Sequence, residues 1–130
     1  MIILVDYNLN RQAILLSGRL AIEGWLEIVP IQLVTFTEIG IPSDSSDRFV
    51  WRFAQSNGML LLTANRSAKG KDALEQVMRE ENTPTSFPIL TISDPDRVNE
   101  YNYRERCVDR LVEIVIDIRD YLGAGRLFIP

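Results

Sequence analysis

The sequence contains no histidine and one cysteine, Cys107. Lacking histidine, the chain has no access to the commonest general base, the Ser-His-Asp triad or most zinc sites. A lone cysteine cannot close an intramolecular disulfide, which suits a reducing cytoplasm. It falls in a helical apolar pattern without a histidine partner, so it does not read as a nucleophile. No apolar run approaches the roughly 20 residues of a membrane span. The first residues carry no basic region and reach Asp6 too soon for a secretory signal. The expected location is therefore cytoplasmic, with no membrane partner. A P-loop is missing as well, because no glycine-rich turn of the required spacing precedes Gly70-Lys71. There is no internal repeat, low-complexity tract or linker. The net charge of -4 argues weakly against nonspecific nucleic-acid binding, although a local basic patch would still serve. Enzymatic chemistry in such a chain would have to rest on carboxylates with a hard cation.

What is present is ordinary for one globular domain spanning residues 1–130, with 46% hydrophobic and 25% charged residues. That length buries a core without staples. Strands and helices alternate. Ile2-Ile3-Leu4-Val5 reads as an interior strand. Leu9, Ala13, Leu16 and Leu20 then recur at helical spacing, with Asn8 or Asn10 as cap and Gly24 as stop. Ile31 to Phe36 reads as a strand by its β-branched content, and Thr37 to Ser46 as a loop. Ser45 or Ser46 offers a cap to a helix whose apolar face is Phe49, Val50, Phe53 and Ala54. Met59 to Thr63 is a buried strand, and Ala64 to Lys71 a polar loop. Ala73, Leu74, Val77 and Met78 mark a short helix, and Ile89 to Ile92 a strand. A long helix from about Arg97 to Leu122 carries Val108, Leu111, Val115 and Ile118 on its packed face. Arg126 to Ile129 is a last strand. This alternation argues for an α/β domain with a mostly parallel sheet of about five strands.

The candidate chemistry sits at strand ends. Asp6 follows the first strand, Thr63 and Asn65 the third, and Ser93, Asp94 and Asp96 the fourth. Open parallel sheets place their ligand crevice at that edge. Asp47 opens the helix before the third strand and can join the group, since helices of strand-helix-strand units begin near the same edge. Carboxylates converging there without histidine suit magnesium or manganese. Each acid also has a plainer reading. Asp6 or Asn8 can simply cap the following helix, Asp47 is favoured by the helix dipole, and Asp94 is a turn residue. Arg66, Lys69 and Lys71 could hold a phosphate backbone near a metal or form a solvated loop. Trp25, Trp51 and Phe53 read as core or helix-face residues.

Taken in order, these segments resemble the PIN-like family of small prokaryotic proteins, relatives of the PilT N-terminal nuclease domain. The resemblance rests on three segments: Ile3-Leu4-Val5-Asp6-Tyr7-Asn8-Leu9; Ser46-Asp47 leading to Ala54; and Leu60-Leu61-Leu62-Thr63 followed by Ala64 and Asn65. It spans roughly residues 2 to 65. It implies a three-layer α/β/α sandwich with an acidic pocket, and a Mg2+- or Mn2+-dependent ribonuclease of the kind often found as toxins in toxin-antitoxin pairs. The implied metal and catalytic residues are Asp6, Asp47 and Asn65, with Asn8, Thr63, Arg66 and Lys69 toward the substrate. The implied partners are RNA and an antitoxin or other protein, and a homodimer is left open. Two departures matter. Asn65 stands where the family usually has aspartate, and Tyr7 where many members have glutamate. Either weakens cation binding, and Asp94 or Asp72 are the acids that could compensate. The alternative is a catalytically degenerate PIN-like protein acting as a binding or interaction module. A flavodoxin-like phospho-acceptor domain fits less well, because it wants an acidic pair after the first strand and a lysine after the last long one.

Overall fold

The computed structural model describes residues 1–64 and 73–130. Five strands form one sheet: β1 (Ile2–Val5), β2 (Gln32–Thr35), β3 (Leu60–Thr63), β4 (Ile89–Ile92) and β5 (Arg126–Ile129). Their order is β2-β1-β3-β4-β5, and every neighbouring pair is parallel. All residues of β3 and β4 are buried. This explains why those segments are apolar but for Thr63 and Thr91 and do not alternate, since helices cover both faces of a parallel sheet.

The helices are α1 (Asn10–Ile22), α2 (Phe36–Ile39), α3 (Asp47–Ser56), α4 (Leu74–Glu81), α5 (Tyr101–Ile116) and α6 (Ile118–Tyr121). One core joins Leu16 and Leu20 of α1 and Val108, Leu111 and Val115 of α5 to Ile3, Val5, Leu60 and Leu62 of the sheet. A second core joins Val50, Trp51 and Ala54 of α3 and Leu74, Val77 and Met78 of α4 to Leu4, Leu61 and Ile89. Successive strand residues thus face opposite helix layers, as the strand period requires. The result is the expected three-layer α/β/α sandwich. No helix among the described residues is long and apolar enough to cross a membrane.

Four local expectations need correction. Phe36 does not end β2 but opens α2, which runs on through Thr37 to Ile39 into the stretch expected as loop. Thr35 and Glu38 form a capping box there, the Thr35 hydroxyl accepting from Glu38 N and the Glu38 carboxylate accepting from Thr35 N. Neither Asn8 nor Asn10 caps α1, whose cap position is Leu9 with no side-chain bond. On α3 the buried residues are Val50, Trp51 and Ala54, while Phe49 is 48% exposed. Finally, the long helix starts later than expected. Pro95–Asn99 is a separate 3-10 turn, α5 runs from Tyr101 to Ile116, and Asp117 breaks it before α6. Val108, Leu111 and Val115 are buried as expected, with Ile118 half-buried at the margin.

Charged side chains tie α4 to the sheet and to α3. Arg126 of β5 is nearly buried, with its Nε 2.8 Å from Glu75 Oε1 and its Nη1 donating to Thr91 Oγ1 at 2.6 Å. Arg48 of α3 pairs with Glu80 and Glu81 of α4, and Arg52 Nε donates to Glu81 at 2.7 Å. Hydrogen bonds from Arg52, reinforced by Arg48, hold the Glu81 carboxyl below its usual value of 4.5. A depressed folded value stabilises above the unfolded value and is lost as pH falls through the folded one. Glu81→Gln should therefore lower the urea midpoint at pH 7. Its midpoint should converge with the parent's as pH drops below 4.5. A gap that stays constant down to pH 3 would show that the carboxylate's charge is not what matters.

Candidate acidic cleft

The sheet has one topological switch point. From β1 the chain crosses by α1 to β2 on one side, then returns past β1 by α3 to β3 on the other. Ligand crevices of open α/β sheets form at such a point, beyond the carboxyl ends of the strands. Asp6 and Thr63 stand at those ends on the two neighbours, β1 and β3.

Asp6 is held rigidly. Its amide donates to Leu62 O at 2.9 Å, which continues the β1–β3 ladder by one residue. Its Oδ1 accepts from Tyr7 N at 2.8 Å, and its Oδ2 accepts from the Thr63 hydroxyl at 2.8 Å. The plainer reading of Asp6 as a cap is thus correct for the 3-10 turn Tyr7–Leu9, but the same carboxylate also faces the cleft. Thr63 is 1% exposed. Its geometry serves to fix Asp6 rather than to reach into solvent.

Asp47 comes from the other side, as the first residue of α3. The Ser46 hydroxyl accepts from Phe49 N at 3.1 Å and sets where that helix begins. The positive end of α3 favours a carboxylate at this position.

Asp6, Ser43, Ser45 and Asp47 together line an open hollow of about 440 Å3, with Asn8, Leu9 and Ala64 at its margin. The same four residues line a narrow recess of about 30 Å3 that reaches down to Thr63, Val50 and Leu61. Asp6 and Asp47 therefore share one cleft, joined at its rim by the exposed side chain of Asn8. The Tyr7 ring sits against Phe36, with centroids 6.5 Å apart, and Tyr7 is not among the described residues that line the cleft.

Other sequence candidates fall elsewhere. Asp94 opens the turn after β4, its amide donating to the Tyr103 hydroxyl at 2.8 Å, and it is not among the described residues lining the cleft. Asn65, Arg66, Lys69 and Asp72 lie outside the described residues. Cys107 is fully buried, and burial pushes its thiol up to about 11, which removes it as a nucleophile at neutral pH. Ser43 was read only as a loop residue and Ser45 only as an alternative cap for α3, a role that Ser46 takes; neither was expected at the site. Their nearness to Asp47 in Ser43-Asp44-Ser45-Ser46-Asp47 was the available signal.

A second acidic group was not legible, because its members come from distant segments. Single carboxylate oxygens of Glu23, Glu105 and Asp109 lie within 4.8 Å of one another. Arg19 bridges Glu23 at 3.1 Å and also contacts Glu105. The hydrogen bond between Glu23 and Glu105 raises the Glu23 carboxyl above its usual value and lowers that of Glu105. Trp25 Nε1 donates to the same Glu23 at 3.1 Å. Arg19 already supplies the cationic partner of this group.

Compared with protein-family models, curated proteins and solved structures, the chain matches none of them.

Proposed function

We propose that the cleft binds a divalent cation, Mg2+ or Mn2+, and that the chain is a weak PIN-like hydrolase of RNA phosphodiester bonds. The observation that carries this reading is the meeting of Asp6 and Asp47 at the switch point of a parallel sheet. The donor set suits a hard cation: two carboxylates, flanked by the hydroxyls of Ser43 and Ser45. Both Asp6 oxygens accept hydrogen bonds, yet each keeps a further lone pair for a ligand. A cation bound there supplies a water of lowered pKa and offsets charge on the phosphate.

The chain's own residues do the rest. Asp6 and Asp47 hold the cation. Thr63 and the Tyr7 amide keep the Asp6 carboxylate from rotating away. Asn8, exposed at the rim, is placed to hydrogen-bond an incoming strand. The resemblance to PIN-like proteins implies Asn65 as a third ligand, and Arg66 and Lys69 as contacts to the phosphate backbone.

Activity is low because cation affinity rises with the charge of the ligand set. Among the described residues, two carboxylates line the cleft, and Asn65 brings no charge. That same shortage favours the second reading, a degenerate PIN-like module that binds a protein or RNA partner without cleaving it.

Manganese calorimetry on the parent, Asn65→Asp and Asp6→Asn separates the two. Asn65→Asp should bind manganese more tightly, and Asp6→Asn more weakly, by on the order of 10–100-fold, as expected when a metal site gains or loses an anionic group. Cleavage of single-stranded RNA should rise and fall in the same order. Equal manganese affinity in all three would mean that these residues form no metal site, and the binding-module reading would lead.

A further inference from the structure

Two ridges run along one flank of α5 and its C-terminal cap. Asp109, Glu113 and Asp117 recur at helical spacing along one, and Val112 and Ile116 along the other. Together with Trp25 they line a groove of about 350 Å3. Val112 forms its floor at 2% exposure, and Ile116 stands 55% exposed at its edge. An exposed branched side chain beside a half-buried indole is the kind of apolar ground that a partner covers.

The charge around this groove is unbalanced. Arg110 is committed to Glu113 at 3.0 Å and to the Tyr121 hydroxyl at 3.1 Å. Arg19 is committed to Glu23 and Glu105. Among the described residues no arginine or lysine pairs with Asp109 or Asp117. Asp109 also lies beside the Glu23 and Glu105 carboxylates, with single oxygens of the three within 4.8 Å of one another.

We infer that this groove is a docking surface for an amphipathic helix of a partner protein. That helix presents branched apolar side chains to Trp25, Val112 and Ile116, and Lys or Arg to Asp109 and Asp117. An apolar stripe flanked by acids selects such a helix by shape and by charge. The inference is independent of the Asp6–Asp47 cleft, which opens at the carboxyl ends of β1 and β3 and shares none of the groove's lining residues.

The test uses the full chain and three synthetic peptides. One has leucine at helical spacing with flanking lysines, one has glutamate in place of each lysine, and one is the first in scrambled order. Binding is followed by amide and indole NMR shifts. The lysine peptide should shift the Trp25 indole and the amides of Val112 and Ile116, leaving those of Asp6 and Asp47 in place. Ile116→Asp should weaken it by on the order of tenfold. The double variant Asp109→Lys, Asp117→Lys should lose the lysine peptide and gain the glutamate one. Both variants change exposed positions, and an unchanged thermal melt confirms that they fold. Shifts scattered over the surface, equal binding of the scrambled peptide, or no charge swap would overturn the proposal. So would peptide-free self-association that Ile116→Asp abolishes, since the occupant would then be a second copy of the chain.

Discussion

Replacing Leu111 with alanine should destabilise the protein by about 2–5 kcal/mol, the range for deleting a fully buried leucine side chain. Leu111 is 0% exposed and belongs to the core shared by α1, α5 and the sheet. The loss has two parts. The removed methyl groups forfeit their transfer free energy, and the cavity left between α5 and the sheet persists because both are fixed by their other contacts. A urea titration reads the change directly. A shift below about 0.5 kcal/mol, the size typical of surface substitutions, would show that α5 does not pack as described. Ile116→Ala, on the exposed side of the same helix, is the control and should change the midpoint little.

The second large effect is expected at Gly123, just beyond α6. Its φ is +81°, and a Cβ built there would lie 2.9 Å from the carbonyl oxygen and 3.0 Å from the Cα of Pro84. Both neighbours are backbone, and the segment is pinned. Gly123 N donates to Ser86 O at 2.8 Å, and its carbonyl accepts from Asn82 Nδ2 at 3.0 Å. Gly123→Ala therefore incurs both the left-handed strain of about 1–2 kcal/mol and an overpacking term of about 1–3 kcal/mol. Gly24→Ala isolates the first contribution. Its φ is +75°, and nothing lies within 4 Å of the added carbon. Urea midpoints of the two variants should differ, with Gly123→Ala the lower. Equal midpoints would show that the Pro84 segment yields without resistance.

Legibility in the sequence followed how local each determinant is. The run Ile2–Val5 ending at Asp6 fixed a strand and its terminal carboxylate, because burial on both faces leaves no room for a polar residue until the chain leaves the sheet. Ser46 and Asp47 marked the start of α3 for the same local reason, a cap and an acid in the first turn. On α3 itself, Phe49 and Phe53 form one stripe at helical spacing, and Val50 and Ala54 another beside it. Choosing between them needs the position of α4, whose Leu74 and Met78 complete that core. At Phe36 the β-forming aromatic masked a signal that was present, since Thr35-Phe36-Thr37-Glu38 has the spacing of a capping box. The Glu23–Glu105–Asp109 group could not have been found this way. It depends on α1 lying against α5, which no local pattern encodes. For the cleft, two of the three expected site residues, Asp6 and Asp47, line one hollow, and the third, Asn65, falls outside the described residues.

The all-parallel pairing also governs how this chain reaches its native state. Ile3 must find Leu60, and Leu61 must find Ile89. Among the described strands none pairs with its neighbour through a hairpin. Every ladder therefore closes a long loop, and the closure entropy is spent before the pairing is gained. Folding should be slow beside that of a helical bundle of similar length, and its transition state should already contain a helix docked on at least two strands. β1 is an interior strand, paired with both β2 and β3, whereas β5 pairs with β4 alone at the edge, so we expect the β1 ladders to form early and the β5 ladder late. Substitutions such as Leu4→Ala in β1 should then slow folding more than they speed unfolding, and the reverse should hold for the edge strand β5.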